Sequence, residues 1–333
     1  MKFPRFLSLC LALGLSVSAA SVALAQTKTP TPVKISMHFN VPQLSWYGLY
    51  WADEKGYYKD AGLDVSFQYL RGSPLAVQAT GAAQSELGIA AADSALAGGI
   101  QGLPIKVIAN HLQKDATGVI VDKAKGPVTS FKDLGGKTIV TSDSTTLATL
   151  LRAALKRSDM TDKVKVLSVD PQTVCTLMLA ERADGCTGFE FAHALQVKAK
   201  GVEPLFLPFN TDEYPILGHV IMANSDFLAK NPDAVKAFLA ATARGYAEAS
   251  ADIPATVAMM GRIDPTQPKE TLPQAIKIIA DLTESPRSKE HGWGWMDDTS
   301  WNNLYSGLAD GGVLKPGYKV SDLYTNDYLP AKK

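Results

Sequence analysis

Residues 46–65, WYGLYWADEKGYYKDAGLDV, decide the fold. Leu49, Ala52 and Tyr57 fall on the core-facing side of an amphipathic helix that starts near Ser45. The helical pattern breaks between Lys59 and Gly62, and a strand follows over 63–69. A strand over 33–40 and a turn at Pro42 come before it. The stretch therefore reads as a β-α-β unit with two adjacent aromatics, Trp46 and Tyr47, at the N-terminus of its helix. In open α/β sheets ligands settle beyond the carboxyl ends of strands, against helix N-termini. Aromatics placed there point to a flat ligand held by stacking.

The same alternation extends outward. Strand patterns at 33–39, 63–69, 86–90 and 105–109 are separated by helical patterns such as 74–82 and 93–101. The series then restarts, with strands at 118–122, 138–141, 165–169, 185–188 and 203–207 and helices at 145–157, 171–180 and 191–200. An apolar strand at 216–223 follows, and after Asn224 the chain is mostly helical. Two β/α blocks and a long helical return predict an α/β protein of two lobes, each a doubly wound sheet with helices on both faces. The chain crosses between them near 112–117 and 210–218, which assigns 26–114 and 218–333 to lobe 1 and 115–217 to lobe 2.

The N-terminus has a short basic region, an apolar stretch over 6–24, and Ala23-Leu24-Ala25, which fits a small-x-small processing site. Residues 1–25 are expected to be a secretory signal that directs the mature chain to the periplasm. Without Lys2 and Arg5, 31 basic residues face 33 acidic ones, a balance that gives no reason to expect nucleic acid or an anionic membrane as partner. Only Cys175 and Cys186 remain beyond the signal; they are a pair or two buried thiols.

Several segments together resemble the periplasmic solute-binding proteins of ATP-driven importers, and more narrowly the NMT1/THI5-like, thiamine-pyrimidine branch. They are Gly48 to Ala52, Gly56-Tyr57-Tyr58, Gly62 to Val65, Leu87-Gly88-Ile89 with Asp93-Ser94, and Phe131 to Thr138. Trp301, Gly307, Gly311, Gly312, Leu314 and Tyr324-Thr325-Asn326 extend the likeness to the C-terminus. The resemblance covers nearly all of 33–330. It implies the type II periplasmic-binding-protein fold, with mixed sheets and two crossing strands as hinge. It also implies a monomeric capture protein without cofactor that hands a small molecule to a permease and its ATPase.

The candidate binding residues follow from the strand ends. Ser142, Ser144, Thr145 and Thr146 lie in a strand-to-helix turn whose hydroxyls cap the helix, and whose N–H groups also suit a polar ligand group. Phe189 and Glu190 follow another strand. A carboxylate there favours the helix dipole in any case. The resemblance implies a second role, in which Glu190 accepts hydrogen bonds from an exocyclic amine and a protonated ring nitrogen, a charge-assisted pairing. Asn40 and Gln43 flank the first turn, and Ser73, Asp93 and Ser94 occupy equivalent turns. His111 and Tyr214 sit at the two crossings; a structural histidine is the plainer reading of His111, with a place in the cleft lining as the alternative, and Tyr214 is a candidate to close over the ligand.

No metal-ligand spacing appears among the five histidines and the cysteines, and no nucleophile or phosphate-loop motif stands in a fitting context. The fungal members of the resembled family make the pyrimidine and carry a cysteine-rich motif, where this chain has only Gly185-Cys186-Thr187-Gly188. A binder rather than an enzyme is expected, with a thiamine-precursor aminopyrimidine as ligand. The alternatives are a sulfonate, riboflavin or an aromatic acid, for which Arg71 and Arg152 are available cations, or a sensor subunit without transport.

Overall fold

The protein is described here by a computed structural model covering residues 1, 30–37, 42–143, 146–310, 314 and 317–332. Residues 2–25 of the expected signal, and the candidates Asn40, Ser144 and Thr145, lie outside the described residues. Among the described residues no helix is long and apolar enough to cross a membrane.

Among the described residues two five-stranded sheets carry the architecture. Their ten strands run in chain order: β1 (Thr31–Met37), β2 (Leu63–Tyr69), β3 (Leu87–Ala91), β4 (Ile105–Asn110), β5 (Thr117–Asp122), β6 (Thr138–Thr141), β7 (Lys165–Ser168), β8 (Gly185–Phe189), β9 (Pro204–Pro208) and β10 (His219–Asn224). The first sheet has the order β2-β1-β3-β10-β4 and the second β7-β6-β8-β5-β9. In each, the first three strands are parallel and one antiparallel strand, β10 or β5, is inserted beside them. The chain leaves the first sheet through β4 into β5 and returns from β9 into β10.

The helices are α1 (Tyr47–Glu54), α2 (Tyr57–Asp60), α3 (Ser73–Gly81), α4 (Ala92–Ile100), α5 (Thr146–Arg157), α6 (Val174–Leu179), α7 (Leu195–Ala199), α8 (Ser225–Lys230), α9 (Pro232–Ala251), α10 (Ile253–Ile263), α11 (Leu272–Leu282), α12 (Pro286–His291) and α13 (Asp298–Asp310). Their faces follow the sequence. In α11, Leu272, Ala275, Ile276, Ile279 and Leu282 are buried, the spacing of a single helical stripe. The first helix ends earlier than its pattern suggests. Gly56, at φ 76°, breaks it and starts the one-turn α2, and Tyr57 turns outward to donate its hydroxyl to Glu248. The tenth strand also starts later, at His219 rather than near 216, because Ile216 donates its N–H to the Asn210 side chain and leaves the strand path.

The two crossings touch each other. Gly218 donates to the Leu112 carbonyl at 3.2 Å and Asp115 to the Ile216 carbonyl at 3.3 Å. The C-terminal tail covers the outer edge of β4, where Val107 donates to the Leu323 carbonyl and Thr325 donates to that of Val107. Covering an edge strand removes a site for unwanted pairing.

Cys175 on α6 and Cys186 on β8 form a disulfide, with Cα atoms 5.2 Å apart and 11 residues apart in sequence. Closing a loop of this size restricts the unfolded chain by about 3 kcal/mol in the chain-entropy account. Cys175→Ser/Cys186→Ser is expected to lower stability by that order in chemical denaturation. Equal denaturation midpoints for the two proteins would show that the bridge contributes nothing.

Candidate functional site: an acidic cavity at the crossings

A cavity of about 410 Å³ lies where the two sheets face each other across the crossings. Ser73 and Pro74 from the start of α3 and Ala91 to Ser94 from the β3–α4 turn form its first wall. Thr146, Leu147 and Leu150 of α5, with Phe189 at the end of β8, form the opposite wall. Asp115, Thr117 and the segment 216–219 form its back. The site is thus built from strand ends and helix starts of both sheets, where side chains and free N–H groups converge.

Local bonding holds these groups in place. The Ser73 hydroxyl accepts the Ala91 N–H at 3.0 Å, which ties α3 to the end of β3. Asp115 accepts the Thr117 N–H at 2.8 Å and its hydroxyl as well, an Asx turn at the first crossing. The Phe189 N–H is donated to Nδ1 of His193 at 3.1 Å, and the two rings lie 5.9 Å apart, which sets the phenyl ring.

Electrostatics distinguish this cavity. Burial pushes the Asp115 carboxyl up to about 6, against the hydrogen bonds from Thr117, and the negative charge of Asp93 adds to the rise. Burial also raises Asp93, opposed by the Ser94 N–H and the Thr146 hydroxyl. Two carboxylates therefore share one low-dielectric space, and the charge of Asp93 makes Asp115 harder to ionise. His219 is held down to about 4 by burial and stays neutral at pH 7. Among the described residues no lysine or arginine lines the cavity. Arg71 is exposed, and Arg152 is paired with Asp143 at the surface. A cavity of this kind suits a cation or a cluster of hydrogen-bond donors and opposes an anion.

A family model described as NMT1/THI5 like matches residues 43–254. The chain belongs to the NMT1/THI5-like family. Its relatives include the riboflavin-binding protein RibY of Chloroflexus aurantiacus, 23% identical over 301 residues, with 87% of this chain and 84% of the relative covered. A putative binding protein of Brucella abortus is 27% identical over 323 residues, covering 90% and 94%. A 4-amino-5-hydroxymethyl-2-methylpyrimidine phosphate synthase of Candida albicans is 25% identical over 302 residues, covering 84% and 83%. The periplasmic aliphatic sulphonate binding protein SsuA of Escherichia coli superposes with a TM-score of 0.70 at 12% identity, covering 88% of this chain and 97% of that one. At that identity the superposition speaks for the fold alone, which is the two-lobed periplasmic-binding-protein fold expected above.

Within this NMT1/THI5-like frame the expected residues separate into groups. Ser73, Asp93, Ser94, Thr146 and Phe189 meet at the cavity. Trp46 and Tyr47, expected to stack on a ligand, are fully buried in the core of the first sheet and do not line it. Trp46 stacks on Tyr69 at 6.2 Å, and Tyr47 packs on Tyr246 and hydrogen-bonds Ser250 at 2.6 Å. The reason is that α1 packs directly on α9, so the helix start is covered by protein. Glu190 lies in an adjoining hollow with Lys114 and Asp281, and Asp115 lines both this hollow and the cavity. Burial and Asp281 raise its carboxyl, and Lys114 lowers it. Gln43 stands before α1, away from the cavity. Ser142 is buried at the end of β6. Tyr214 donates its hydroxyl to the Asn303 carbonyl at 2.6 Å with the Arg157 guanidinium over its ring, so it fastens the crossing to α13. His111 is buried behind His219. Sequence reasoning missed Asp115, Thr117 and His219. The spacing Asp115-x-Thr117 inside the expected crossing is an Asx-turn signal that was open to reading.

Proposed function

We propose that this chain is the extracytoplasmic capture subunit of an ABC importer and that its ligand is a small planar heterocycle bearing an amino group, with a thiamine-precursor aminopyrimidine as the leading candidate. The observation that carries the ligand class is the pair Asp93 and Asp115 in a cavity whose lining, among the described residues, holds no lysine or arginine. An ionised carboxylate accepts hydrogen bonds from an amine or a protonated ring nitrogen, and these are about twice as strong as neutral ones. Phe189 offers a ring face, and Ser73, Ser94 and Thr146 offer hydroxyls. A sulfonate or nitrate would meet like charge instead. Groups from both sheets line the cavity, so ligand contact favours the closed arrangement through a hinge at the paired crossings.

The capture reading is also favoured over catalysis at Cys186. The fungal resemblance places chemistry near this position, but here the sulfur is held in a disulfide.

Thermal-shift measurement tests the ligand class. A ligand at a hundred times its dissociation constant stabilises the folded form by about 2.7 kcal/mol. 4-Amino-5-hydroxymethyl-2-methylpyrimidine is expected to raise the melting temperature, and ethanesulfonate and nitrate to leave it unchanged. A shift with ethanesulfonate and none with the aminopyrimidine would reverse the assignment.

A further inference from the structure

We infer that the ligand of the acidic cavity has two parts, an amino-bearing heteroaromatic head and an apolar arm of several carbon atoms, and that the arm lies against Leu147, Leu150 and Leu304. The inference rests on the capture reading and narrows its ligand class.

The cavity is too large for a head alone. It encloses about 410 Å³. Even at the liquid-water volume of about 30 Å³ per heavy atom, an aminopyrimidine of about ten heavy atoms would leave roughly a quarter of that space unfilled. Small-molecule sites enclose most of the surface of their ligand. Water settles in spare space where polar groups surround it, and apolar walls do not hold it.

The walls are divided by polarity. Backbone pairing gathers the polar groups at the strand ends. Thr117 stands opposite Phe189 in the ladder of β5 and β8, and Ala92 donates its N–H to the Gly218 carbonyl at 3.0 Å, beside Asp93. The Asp93 carboxylate accepts the hydroxyl of Thr146 at the start of α5. Leu147 and Leu150 line the cavity on that same helix. Leu150 lies about 6 Å further along the axis than Thr146, away from the helix start. Leu304 of α13 lines the cavity with them, and Ile216 and Leu217 of the second crossing form the floor. The Asp115 N–H is donated to the Ile216 carbonyl at 3.3 Å, so the floor begins beside the carboxylate.

The apolar side is one continuous surface. Ile216, Leu217 and Leu304 belong to one hydrophobic cluster, and Leu147 and Leu150 pack against it. Phe189 packs against the other cluster, so the ring face and the leucine wall are separate surfaces. Behind the wall α13 approaches α5 closely. A Cβ on Gly307 would lie 3.8 Å from the Ala153 Cβ and 3.4 Å from the Tyr214 hydroxyl oxygen. Asn303, next to Leu304, donates its side-chain amide to the Pro215 carbonyl at 3.0 Å, and its own carbonyl accepts the Tyr214 hydroxyl. The wall is therefore fixed to the floor before any ligand arrives.

This division selects an amphipathic ligand. The carboxylates and the Phe189 ring address the amino-bearing head, as in the capture reading. Leu147 and Leu150 are only half-buried in the empty cavity, unlike Leu304 at 3% exposed. An arm that covers them removes apolar surface from water on both partners, and each buried methylene strengthens binding about fourfold.

Calorimetry on the mature protein tests this with three probes. The head alone is 2,4-diaminopyrimidine. The arm is added at two ring positions, in 5-benzyl-2,4-diaminopyrimidine and 2,4-diamino-6-phenylpyrimidine. At least one arm-bearing probe is expected to bind about tenfold or more tighter than the head. Binding of an arm-bearing probe where the head gives no detectable heat supports the inference in the same way. Leu150→Gln keeps a side chain of similar length and a good helix former. It is expected to shrink the advantage of the arm by about fivefold or more, with the ligand-free melting temperature showing that the variant is folded. Binding of the head with no gain from either arm would overturn the inference and leave the capture reading standing. A gain that persists undiminished in folded Leu150→Gln would place the arm elsewhere and overturn it as well. If that variant does not fold, the comparison of the three probes on the wild type decides. If neither these probes nor 4-amino-5-hydroxymethyl-2-methylpyrimidine binds, the capture reading itself falls, and the two-part ligand with it.

Discussion

Asp115→Asn is expected to make the ligand-free protein more stable at pH 7.5 and to weaken an aminopyrimidine ligand by ten- to a hundredfold. Both effects come from one carboxylate. In the folded protein its pKa is raised to about 6 by burial and by Asp93, above the value near 4 of an unfolded aspartate. A raised folded pKa means that the folded state binds the proton more tightly than the unfolded chain. The associated stability is fully present below about pH 4 and is lost as pH rises through about 6. At neutral pH the ionised group works against folding by about 2 kcal/mol, from a rise of roughly two pK units tempered by residual solvent. The asparagine amide keeps an oxygen to accept the Thr117 bonds and removes the charge. A gain of a few degrees in melting temperature at pH 7.5 and none at pH 4 is expected.

The ligand reverses the sign. An amine or protonated ring opposite Asp115 uses the charge that the empty cavity resists, and losing a charged hydrogen bond costs about 1.5–3 kcal/mol. Affinity is therefore expected to fall as pH drops through about 6. Glu190→Gln is the matched comparison, because its carboxylate lies only in the adjoining hollow with Lys114 and Asp281, whereas Asp115 lines both that hollow and the cavity. Its affinity should remain within about twofold of the wild type. If Glu190→Gln abolished binding and Asp115→Asn did not, the ligand would belong in that hollow.

Gly245→Ala is expected to destabilise the protein by about 3 kcal/mol or more. On an exposed helix the same change would stabilise by about 0.5–1 kcal/mol, because alanine is the better helix former. At the crossing of α9 and α1 the sign changes. A Cβ on Gly245 would lie 2.1 Å from the Gly48 carbonyl oxygen and 2.9 Å from the Ala52 Cβ. Both are parts of a helix that cannot yield as a flexible side-chain tip does. A Cβ on Gly48 would in turn meet the Tyr246 ring at 2.3 Å, so the two glycines permit one close approach. Gly261→Ala, in α10, provides the contrast, because its Cβ would meet only Leu272 at 3.9 Å. It should raise the denaturation midpoint slightly. Equal effects for the two glycines would show that the close helix approach carries no weight.

Much of the secondary structure was legible because its signals are local. Leu272–Leu282 reads as a helix from the spacing of its apolar residues, and that is where α11 lies. Leu63–Tyr69 likewise follows a glycine and forms β2. Boundaries slipped where a partner distant in sequence intervened, as at Ile216, whose N–H goes to Asn210. The strand ends at Ser73, Asp93 and Phe189 were also open to reading, because each follows or precedes a helix start in a β/α alternation.

Trp46 and Tyr47 show where that kind of reading stops. Two aromatics at a helix start look alike whether they face a ligand or a second helix. The choice was made by α9, some two hundred residues further on, which covers α1 with Tyr246 and Ser250. Hydrophobic pattern reports that a side chain avoids water, and it is silent on which surface does the covering.

The amino-acid order alone determined the alternation of strands and helices, the two crossings and hence the two-lobed frame, since propensity and periodicity act over a few residues. Only the tertiary structure decided that Asp93 and Asp115 share one cavity and that Cys175 meets Cys186. Charge and burial are properties of a surrounding, and that surrounding is assembled from residues that the chain order keeps apart.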